Sequence, residues 1–331
     1  MRAAVCRAYG PPEVVEIGDL PAPDIGPGQL RVRIDAAAVN FPDVLLVADR
    51  YQLTVPTPFV PGSEFAGVVT EVADGADRAG DAAVGDRVVG TTLVGAFAEE
   101  VVVGADAVRS IPDGVDARHA AAFGVAHRTA YHVLRSVAGL QQGDELVVLG
   151  AGGGVGLAAV QLGALLGASV TAVASSAEKL EVAESHGAVQ LIDHRSVELR
   201  PTLRELLPDG ADVVVDPVGG DLSEPALRSL RWGGRFVTVG FASGTIPRIP
   251  LNLVLLKGVR LLGFQFRDFV AHAADEFRRN EDELECLLAA GRVVPHIGAS
   301  FGLDEAAAAL RYVADGRAIG KVVIDVAATT R

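Results

Sequence analysis

The sequence has few of the residues that build disulfide-rich or metal-binding lobes. Only two cysteines occur among its 331 residues, Cys6 and Cys286, and they lie far apart. Two thiols cannot form a disulfide framework or a four-cysteine metal lobe. We expect both thiols to be reduced in a cytoplasmic protein, because Arg7 and Pro11 interrupt the segment where a signal peptide needs its apolar stretch.

An excess of positive charge is also missing. The formal net charge is −13 at pH 7, and no run of lysine and arginine stands out against it. A surface for nucleic acid or for an anionic membrane needs such a run, so we predict neither partner. A local basic pocket for a single phosphate is still compatible with this charge.

One long stretch, Leu146 to Ala177, lacks charged residues and is long enough to suggest a membrane helix. Three consecutive glycines, Gly152 to Gly154, interrupt it, and the flanking segments have the pattern of β-strands. We therefore predict no membrane-spanning segment here.

Two hydrophobic patterns divide the chain. Residues 1–115 form short alternating strands, as where Leu30, Val32 and Ile34 alternate with charged residues. The middle of the chain carries near-continuous apolar runs with helical stretches between them, which is typical of a parallel sheet covered by helices on both faces. The predicted fold class is α/β.

A strand, a glycine turn and a helix follow one another from Asp144 to Ala168. Bare backbone lets such a turn approach a pyrophosphate, and the helix N-terminus supplies N–H donors and a positive dipole end. A second strand follows, so the context favours a dinucleotide site. The predicted contact residues are Gly150, Gly152, Gly153, Gly154, Val155 and Gly156.

The second strand ends without the acidic residue that would bind a free ribose 2′-hydroxyl. It ends instead in Ser175 and Ser176, with Lys179 one helical turn later. Two hydroxyls and an ammonium suit a 2′-phosphate, so we predict NADPH rather than NADH. The alternative is that Ser176 caps a helix and Lys179 is an ordinary surface lysine.

Several stretches along the chain point to one family. They are AVNFPDVL, VPGSEFAGVV, VLGAGGGVGLAAVQLGALLGA, ASSAEKL, DPVGGDL, RWGGRFVTVGFASG and GKVV. The chain resembles the zinc-independent NADPH:quinone oxidoreductases, the zeta-crystallin-like branch of the medium-chain dehydrogenase/reductase superfamily. The resemblance implies a GroES-like β-rich catalytic domain (residues 1–124, completed by 267–331), a Rossmann domain with a doubly wound parallel sheet (residues 125–266), and a homodimer.

The resemblance also bears on Glu64, a lone acid in an apolar run. Zinc-dependent relatives have a cysteine in place of Asn40, and a histidine in place of Ser63. An amide and a hydroxyl are poor zinc ligands. The resemblance therefore implies that no metal is bound, and we expect backbone N–H groups or an arginine to hold Glu64.

Without a metal, the electrophilic small-molecule substrate must already be reactive toward hydride, as a quinone or an α,β-unsaturated carbonyl is. Catalysis would then consist of holding nicotinamide and substrate at transfer distance and stabilising the developing enolate. The resemblance implies two catalytic residues: Asn40, beside the nicotinamide, and Tyr51, as proton donor at a position where related enoyl reductases place a tyrosine over the substrate. The resemblance implies further cofactor contacts at Thr129, His194 (where relatives often have a tyrosine), Gly240, Phe241, Phe264, Phe266 and Lys321.

Other interpretations stay open. The phenylalanines could be core residues, Asp216 could be a strand-end cap, and Tyr51 could be a pocket wall with water as the proton source. A short-chain dehydrogenase is disfavoured because no Tyr-x-x-x-Lys occurs. The main rival is a non-catalytic role, because the family resemblance includes lens crystallins that bind NADPH.

Overall fold

The computed structural model describes residues 1–75 and 82–326. The chain divides into two compact units, Met1–Val125 with Val294–Arg331, and Ala126–Val293. The predicted division placed residues 267–293 with the first unit. In the structure they group with the second, because His132 packs against Phe269 and Phe277 from that segment.

Elements are numbered in chain order. The first unit contains the strands β1 (Arg2–Cys6), β2 (Val15–Asp19), β3 (Gln29–Val39), β4 (Glu64–Val72), β5 (Arg87–Thr91), β6 (Glu100–Gly104), β7 (Val108–Ser110), β14 (Ile297–Gly302) and β15 (Lys321–Asp325), and the helices α1 (Phe41–Val47) and α10 (Ala306–Ala314). The helix α2 (Ala117–His132) contains the division between the units.

The second unit contains the strands β8 (Glu145–Leu149), β9 (Ser169–Ala174), β10 (Gln190–Asp193), β11 (Ala211–Asp216), β12 (Leu230–Thr238) and β13 (Arg260–Gly263). Its helices are α3 (Gly154–Leu165), α4 (Ala177–Ser185), α5 (Leu199–Leu206), α6 (Ser223–Ser229), α7 (Leu251–Lys257), α8 (Phe266–His272) and α9 (Ala274–Ala289).

A seven-stranded sheet dominates the first unit. Its order is β14-β15-β3-β4-β5-β7, with β6 also pairing with β3. In β3 the predicted alternation is present, because Leu30, Val32 and Ile34 are buried. The C-terminal strand β15 lies antiparallel beside β3, so both ends of the chain build this sheet. The prediction of a GroES-like β-rich domain is confirmed.

The central strand β3 brings three distant segments together at one end of this sheet. Val39 of β3 pairs with Val322 of β15, and Ala38 pairs with Glu64 at the start of β4. Lys321 precedes Val322, and Asn40 follows β3 directly. The register therefore places Asn40, Glu64 and Lys321 side by side.

The second unit is built on a six-stranded sheet in which every pairing is parallel. Its order is β10-β9-β8-β11-β12-β13, which in strand order is the 3-2-1-4-5-6 arrangement of a Rossmann fold. The central strand β8 is buried on both faces from Leu146 to Leu149, as a helix-covered parallel sheet requires. The predicted Rossmann domain is confirmed.

In the described ranges, no helix has both the length and the apolar character needed to cross a membrane. The uncharged stretch that starts at Leu146 instead contains β8, α3 and β9 in succession.

Candidate cofactor and catalytic sites

The glycine turn after β8 has the conformation that only glycine adopts without strain. Gly150 has φ of 62°, in the left-handed region. A Cβ added at Gly156 would overlap the carbonyl oxygen of Gly150, so the start of α3 lies directly against the turn. Both positions therefore require glycine for the chain to turn this tightly.

The N-terminus of α3 presents backbone N–H groups that an anion could accept. Gly153 is the N-cap and has no side chain to cap the helix, and the N–H of Leu157 makes a helical bond of 2.8 Å to Gly153 O. The N–H groups of Gly154, Val155 and Gly156 precede that bond and have no intrahelical acceptor. Together with the helix dipole, they form the donor set that a pyrophosphate requires.

The segment after β9 caps a helix and carries a lysine that lies against the glycine turn. The hydroxyl of Ser176 caps α4 by accepting the N–H of Lys179. The stem of Lys179 lies so close to Gly152 that a Cβ there would be 2.6 Å from it. Its ammonium donates to Ser175 Oγ at 3.3 Å. Ser176 is thus a helix cap, whereas Lys179 extends across the glycine turn.

Arg195 is a further cation at this place, and the sequence analysis missed it. Burial, and next the charge of Arg195, lower the pKa of Lys179. The same two causes, in the same order, lower the pKa of His194. Arg195 therefore lies near both groups, beyond the end of β10. The available signal was its position directly after His194, at the end of a predicted strand.

The other predicted cofactor residues of the second unit lie on α2 and after β12. Thr129 is buried on α2. Gly240 and Phe241 follow β12, and the N–H of Gly240 donates to Asp216 O at 3.4 Å. Phe241 is 37% exposed.

Asp216 ends β11 as a cap. Its Oδ1 accepts the backbone N–H groups of Val218 and Gly219, at 2.9 and 2.8 Å. Its Oδ2 accepts the hydroxyl of Ser223 at 2.6 Å. The carboxylate is satisfied within its own turn, which agrees with the cap interpretation.

Phe264 and Phe266 lie in an aromatic cluster around His132. The distances from the His132 ring centroid are 6.3 Å to Phe264, 5.7 Å to Phe266 and 4.9 Å to Phe269. The guanidinium of Arg128 lies 4.9 Å from the centroid of Phe266. Core packing, the alternative role considered for these phenylalanines, is therefore observed for both rings. Their contact with nicotinamide stays a prediction.

The centre of this cluster is a buried polar network that the sequence did not predict. His132 Nε2 lies 3.1 Å from Glu281 Oε1, and Arg128 Nε lies 2.8 Å from Glu281 Oε2. Burial raises the pKa of Glu281, but the bond to His132 and the charge of Arg128 outweigh burial and lower it. This network ties α2 to α9 within the second unit.

In the first unit, Glu64 is fully buried and its charge is balanced by a lysine. Lys321 Nζ donates to Glu64 Oε1 at 2.6 Å, and the backbone N–H of Val125 donates to Oε2 at 2.6 Å. The backbone donor, one of the two expected kinds of partner, is present. The cation is not an arginine, the other alternative, but a lysine from the C-terminal strand.

The ammonium of Lys321 uses all of its donors within this unit. Its acceptors are Glu64 Oε1, Asn40 Oδ1 at 2.6 Å and Val39 O at 3.4 Å, and an ammonium has three N–H groups. Lys321 thus serves here as the counter-charge of Glu64, and its predicted cofactor contact stays a prediction.

The amide of Asn40 is oriented by the same pair. Because its Oδ1 accepts from Lys321, its Nδ2 faces Glu64 Oε1 at 2.9 Å and Ser63 Oγ at 3.3 Å. Asn40 is buried and precedes α1 as its N-cap. All of its amide groups have partners, so the structure shows a residue held firmly in place.

Asp43 is a second buried acid in this cluster. Its Oδ2 accepts the backbone N–H of Asn40 at 2.7 Å, and its Oδ1 has no hydrogen-bond partner among the described residues. Burial raises the pKa of Asp43 to about 7, although the Asn40 N–H and the Ser63 hydroxyl act to lower it. Asp43 can therefore exchange a proton near neutral pH.

The end of α1 positions Tyr51. The N–H of Arg50 donates to Leu45 O, and that of Asp49 donates to Leu46 O. These are the two bonds of a Schellman motif, and Asp49 adopts the left-handed conformation with φ of 51°. The chain leaves the helix here, and Tyr51 packs, half-buried, against the hydrophobic core of the unit.

Within residues 1–75 and 82–326, no group of three or more His, Cys, Asp or Glu side chains could hold a metal ion.

The domain families matched by the chain agree with the two folds. Residues 26–113 match the alcohol dehydrogenase GroES-like domain, and residues 154–285 match the family described as zinc-binding dehydrogenase. A GroES-like domain together with a Rossmann domain defines a medium-chain dehydrogenase/reductase.

Full-length relatives narrow this class. The chain is 36% identical to quinone oxidoreductase-like protein 2 homolog of Nematostella vectensis, over 98% of this chain and 88% of that protein. It is 34% identical to a quinone oxidoreductase of Pseudomonas aeruginosa, over 96% of this chain and 97% of that protein. The chain belongs to the quinone oxidoreductase family of the medium-chain dehydrogenases/reductases.

Solved structures show the same architecture. The quinone oxidoreductase of Thermus thermophilus, solved also as its complex with NADPH, matches with a TM-score of 0.84 and 31% identity, over 98% of this chain and 100% of that one. The Escherichia coli quinone oxidoreductase complexed with NADPH matches with a TM-score of 0.89 and 25% identity, over the same shares.

Proposed function

We propose that this chain is a zinc-independent oxidoreductase that transfers hydride from NADPH to a quinone or an α,β-unsaturated carbonyl. The observation that carries the proposal is the ion pair of Lys321 and Glu64. A buried carboxylate needs a compensating positive charge. Lys321 supplies this charge, and the neighbouring Asn40 and Ser63 are poor zinc ligands.

The cofactor is NADPH, as in the related Thermus and Escherichia coli complexes. The glycine turn and the first N–H groups of α3 would hold its pyrophosphate. Lys179 would contact its 2′-phosphate, and Ser175 and Arg195 would assist. This charge and donor set fits a phosphate monoester better than it fits a free hydroxyl.

The acceptor class follows from the chemistry available. NADPH supplies a hydride when bound. A quinone or an enone accepts hydride without Lewis-acid activation, whereas the developing negative charge on its oxygen still needs a hydrogen bond or a proton. We assign this proton to Tyr51, because the amide donors of Asn40 are already engaged by Glu64 and Ser63. Asn40, whose amide is held by its neighbours, would contribute by helping to position the nicotinamide.

We also propose a homodimer. The strand β13 lies at the edge of the parallel sheet, and two large apolar side chains near it are exposed. They are Leu255 at 81%, on the preceding helix, and Trp232 at 83%, whose ring lies close to Gly258. An exposed edge with apolar neighbours favours self-association. Sedimentation should give twice the chain mass, and Leu255→Glu should shift it toward the monomer; a monomeric unmodified protein would contradict the proposal.

The function is tested by NADPH consumption with a panel of quinones, enones and enoyl thioesters, with analysis of the products. Reduction of at least one of these classes, with one NADPH consumed per product, is the expected result. NADPH binding measured on the same preparation is the control. Tight binding without turnover of any acceptor would contradict the proposed reaction and favour a non-catalytic NADPH-binding protein.

A further inference from the structure

The second unit contains an open cavity of about 770 Å³. Helices α5 and α6 and the loop after β12 line it. None of its lining residues belongs to the glycine turn or to the group of Lys179, His194 and Arg195. Six of the lining residues carry the argument: Arg200, Asp221, Glu224, Arg228, Ile246 and Arg248. The volume lies within the range of small-molecule sites.

Arginines from three different segments meet at this cavity. Arg200 lies on α5, Arg228 on α6 and Arg248 in the loop before α7. Arg228 is held by Glu224, which accepts its Nε at 2.9 Å and its Nη2 at 2.6 Å. In the part of the chain that the structure describes, no carboxylate pairs with Arg200 or Arg248.

A further cation, Lys257, lies outside the cavity lining but near two of its arginines. Burial is the main cause that lowers the pKa of Lys257, and the charges of Arg200 and Arg228 lower it further. Lys257 is therefore near both arginines and is repelled by them. Since like charges this close disfavour one another, an anion bound among them would relieve the repulsion.

The cluster stands out against the charge of the whole chain. The formal net charge is −13, yet three arginines line this cavity against two acids, Asp221 and Glu224, and Lys257 lies near two of these arginines. Glu224 is already paired with Arg228. Asp221 is exposed, and its charge opposes the binding of an anion next to it. A surplus of positive charge in an acidic protein concentrates anions locally.

The cavity also has an apolar wall. Ile246 is 70% exposed although it is a large aliphatic residue, and Pro247 and Ile249 flank the arginine beside them. We propose that this cavity is a binding site for a phosphate monoester, with its phosphoryl group among Arg200, Arg228 and Arg248 and its organic part against Ile246. Guanidinium forks match the geometry of phosphate oxygens, and three arginines line this one cavity.

Two kinds of molecule carry such a phosphate. One is a free phosphorylated ligand. The other is the acceptor itself, for example an enoyl thioester whose thiol part ends in a phosphorylated alcohol. Both sources share the same recognition chemistry. The site is tested first without any reaction, so failure of the site and failure of the proposed hydride transfer can be told apart. Only the second experiment rests on the proposed function.

The first experiment measures the binding of phenyl phosphate, a phosphate monoester with an apolar group, by calorimetry to protein saturated with NADP⁺, so that the cofactor phosphate site is filled. We expect one phenyl phosphate per chain. Arg200→Glu and Arg248→Glu should each weaken binding at least about tenfold. The matched control is Arg292→Glu, an exposed arginine after α9 in the same unit, which should change affinity less than about twofold.

Retained NADP⁺ affinity shows that each variant is folded. If a charge reversal does not fold, the milder variant Arg248→Gln is measured instead. Absence of phenyl phosphate binding, or equal weakening in all three charge reversals, would overturn the proposed site. The second experiment compares one enoyl thioester with and without a terminal phosphate. A KM that rises in Arg248→Glu for the phosphorylated form alone identifies the acceptor as the source, and an unchanged KM for both identifies a free ligand.

Discussion

Lys321 Nζ lies 2.6 Å from Glu64 Oε1, and neither side chain is more than 3% exposed. The two residues are 257 positions apart in the chain. They meet because β15 and β4 flank the same strand, β3, in register. The C-terminal strand therefore brings the charge that neutralises an acid of the N-terminal segment, within one sheet.

This pair predicts an asymmetric response to mutation. Lys321→Met leaves the carboxylate of Glu64 buried without its cation, which should lower the free energy of unfolding by about 3–5 kcal/mol. Urea denaturation at neutral pH measures the loss. Removing both charges is far less costly than removing one, because no unpaired buried charge is left.

The double variant Lys321→Met with Glu64→Gln is the matched control. It should recover most of the stability lost in Lys321→Met, and the double-mutant cycle should show strong coupling. Additive losses would contradict the ion pair as a single electrostatic unit.

The same pair makes a prediction about metal content. Purified protein should contain no stoichiometric zinc, and treatment with a chelator should leave the rate of NADPH oxidation unchanged. The physical reason is that the ammonium of Lys321 already pairs with the carboxylate of Glu64, and the side chains of Asn40 and Ser63 are weak zinc ligands. Elemental analysis is the measurement, and one zinc per chain would contradict the zinc-independent proposal.

How much the sequence predicts depends on how local the cause is. The turn after β8 was predictable, because Gly150 and Gly156 lie six residues apart and their spacing already encodes the strand, turn and helix. The parallel sheet was predictable from continuous apolar runs.

Contacts that depend on sheet register or on the packing of distant elements were not predictable from these patterns. The partner of Glu64 is fixed by the position of β15 beside β3, and no local signal distinguishes a lysine from an arginine at that distance. Arg195 was missed because it acts beside Lys179 only once β9 and β10 are paired. The role of His132 was hidden for the same reason, because its partner Glu281 lies on α9.

Asp43 predicts a specific dependence of stability on pH. Its pKa is about 7 in the folded protein, above the ordinary value of 3.8. Between these values the folded state binds the proton and the unfolded state does not, so the contribution of this group to stability falls as pH rises from 4 to 7. The slope should reach about 1.4 kcal/mol per pH unit in the middle of this window.

Asp43→Asn keeps an oxygen that can accept the N–H of Asn40 but cannot ionise. Subtracting its stability from that of the unmodified protein at each pH isolates the contribution of Asp43. The variant should gain relative stability as pH rises through this window and should gain no more above pH 8. Parallel stability curves over the whole range would show that Asp43 does not titrate as its burial requires.

The cation group at the end of β9 predicts cofactor preference. NADPH should bind at least about tenfold tighter than NADH, a difference of roughly 1.4 kcal/mol. Lys179→Glu should narrow or reverse this preference by placing a like charge against the 2′-phosphate, and Arg195→Glu should narrow it. Fluorescence titration with both cofactors is the measurement.

Glu178→Lys is the control, because Glu178 is the exposed neighbour of Lys179 in the first turn of α4. It changes net charge by the same magnitude in the opposite direction and should not lower the preference. Equal affinities for the two cofactors in the unmodified protein would contradict the assignment of these residues.

The last prediction concerns the proton that follows hydride transfer. Hydride addition to the β-carbon of an enone produces an enolate, a base comparable in strength to a phenolate. A tyrosine hydroxyl, with an ordinary pKa near 10, can therefore donate to it. Tyr51 is held at the end of α1 by the turn at Asp49, which gives it a defined place in the first unit. General acid catalysis is typically worth about 10² to 10⁴ in rate.

Tyr51→Phe should lower the turnover of enones at least about tenfold, since the ring stays and the donor is lost. It should barely change the turnover of quinones, because a hydroquinone anion is a weaker base and takes its proton from water. Measuring enones and quinones with the same variant provides the control, because a packing defect would lower the turnover of both acceptors. If both rates are unchanged, Tyr51 is only a wall of the pocket. Water held by Asn40 then becomes the leading candidate for the proton source, and Asn40→Ala, which also releases Lys321 and Glu64, would test it.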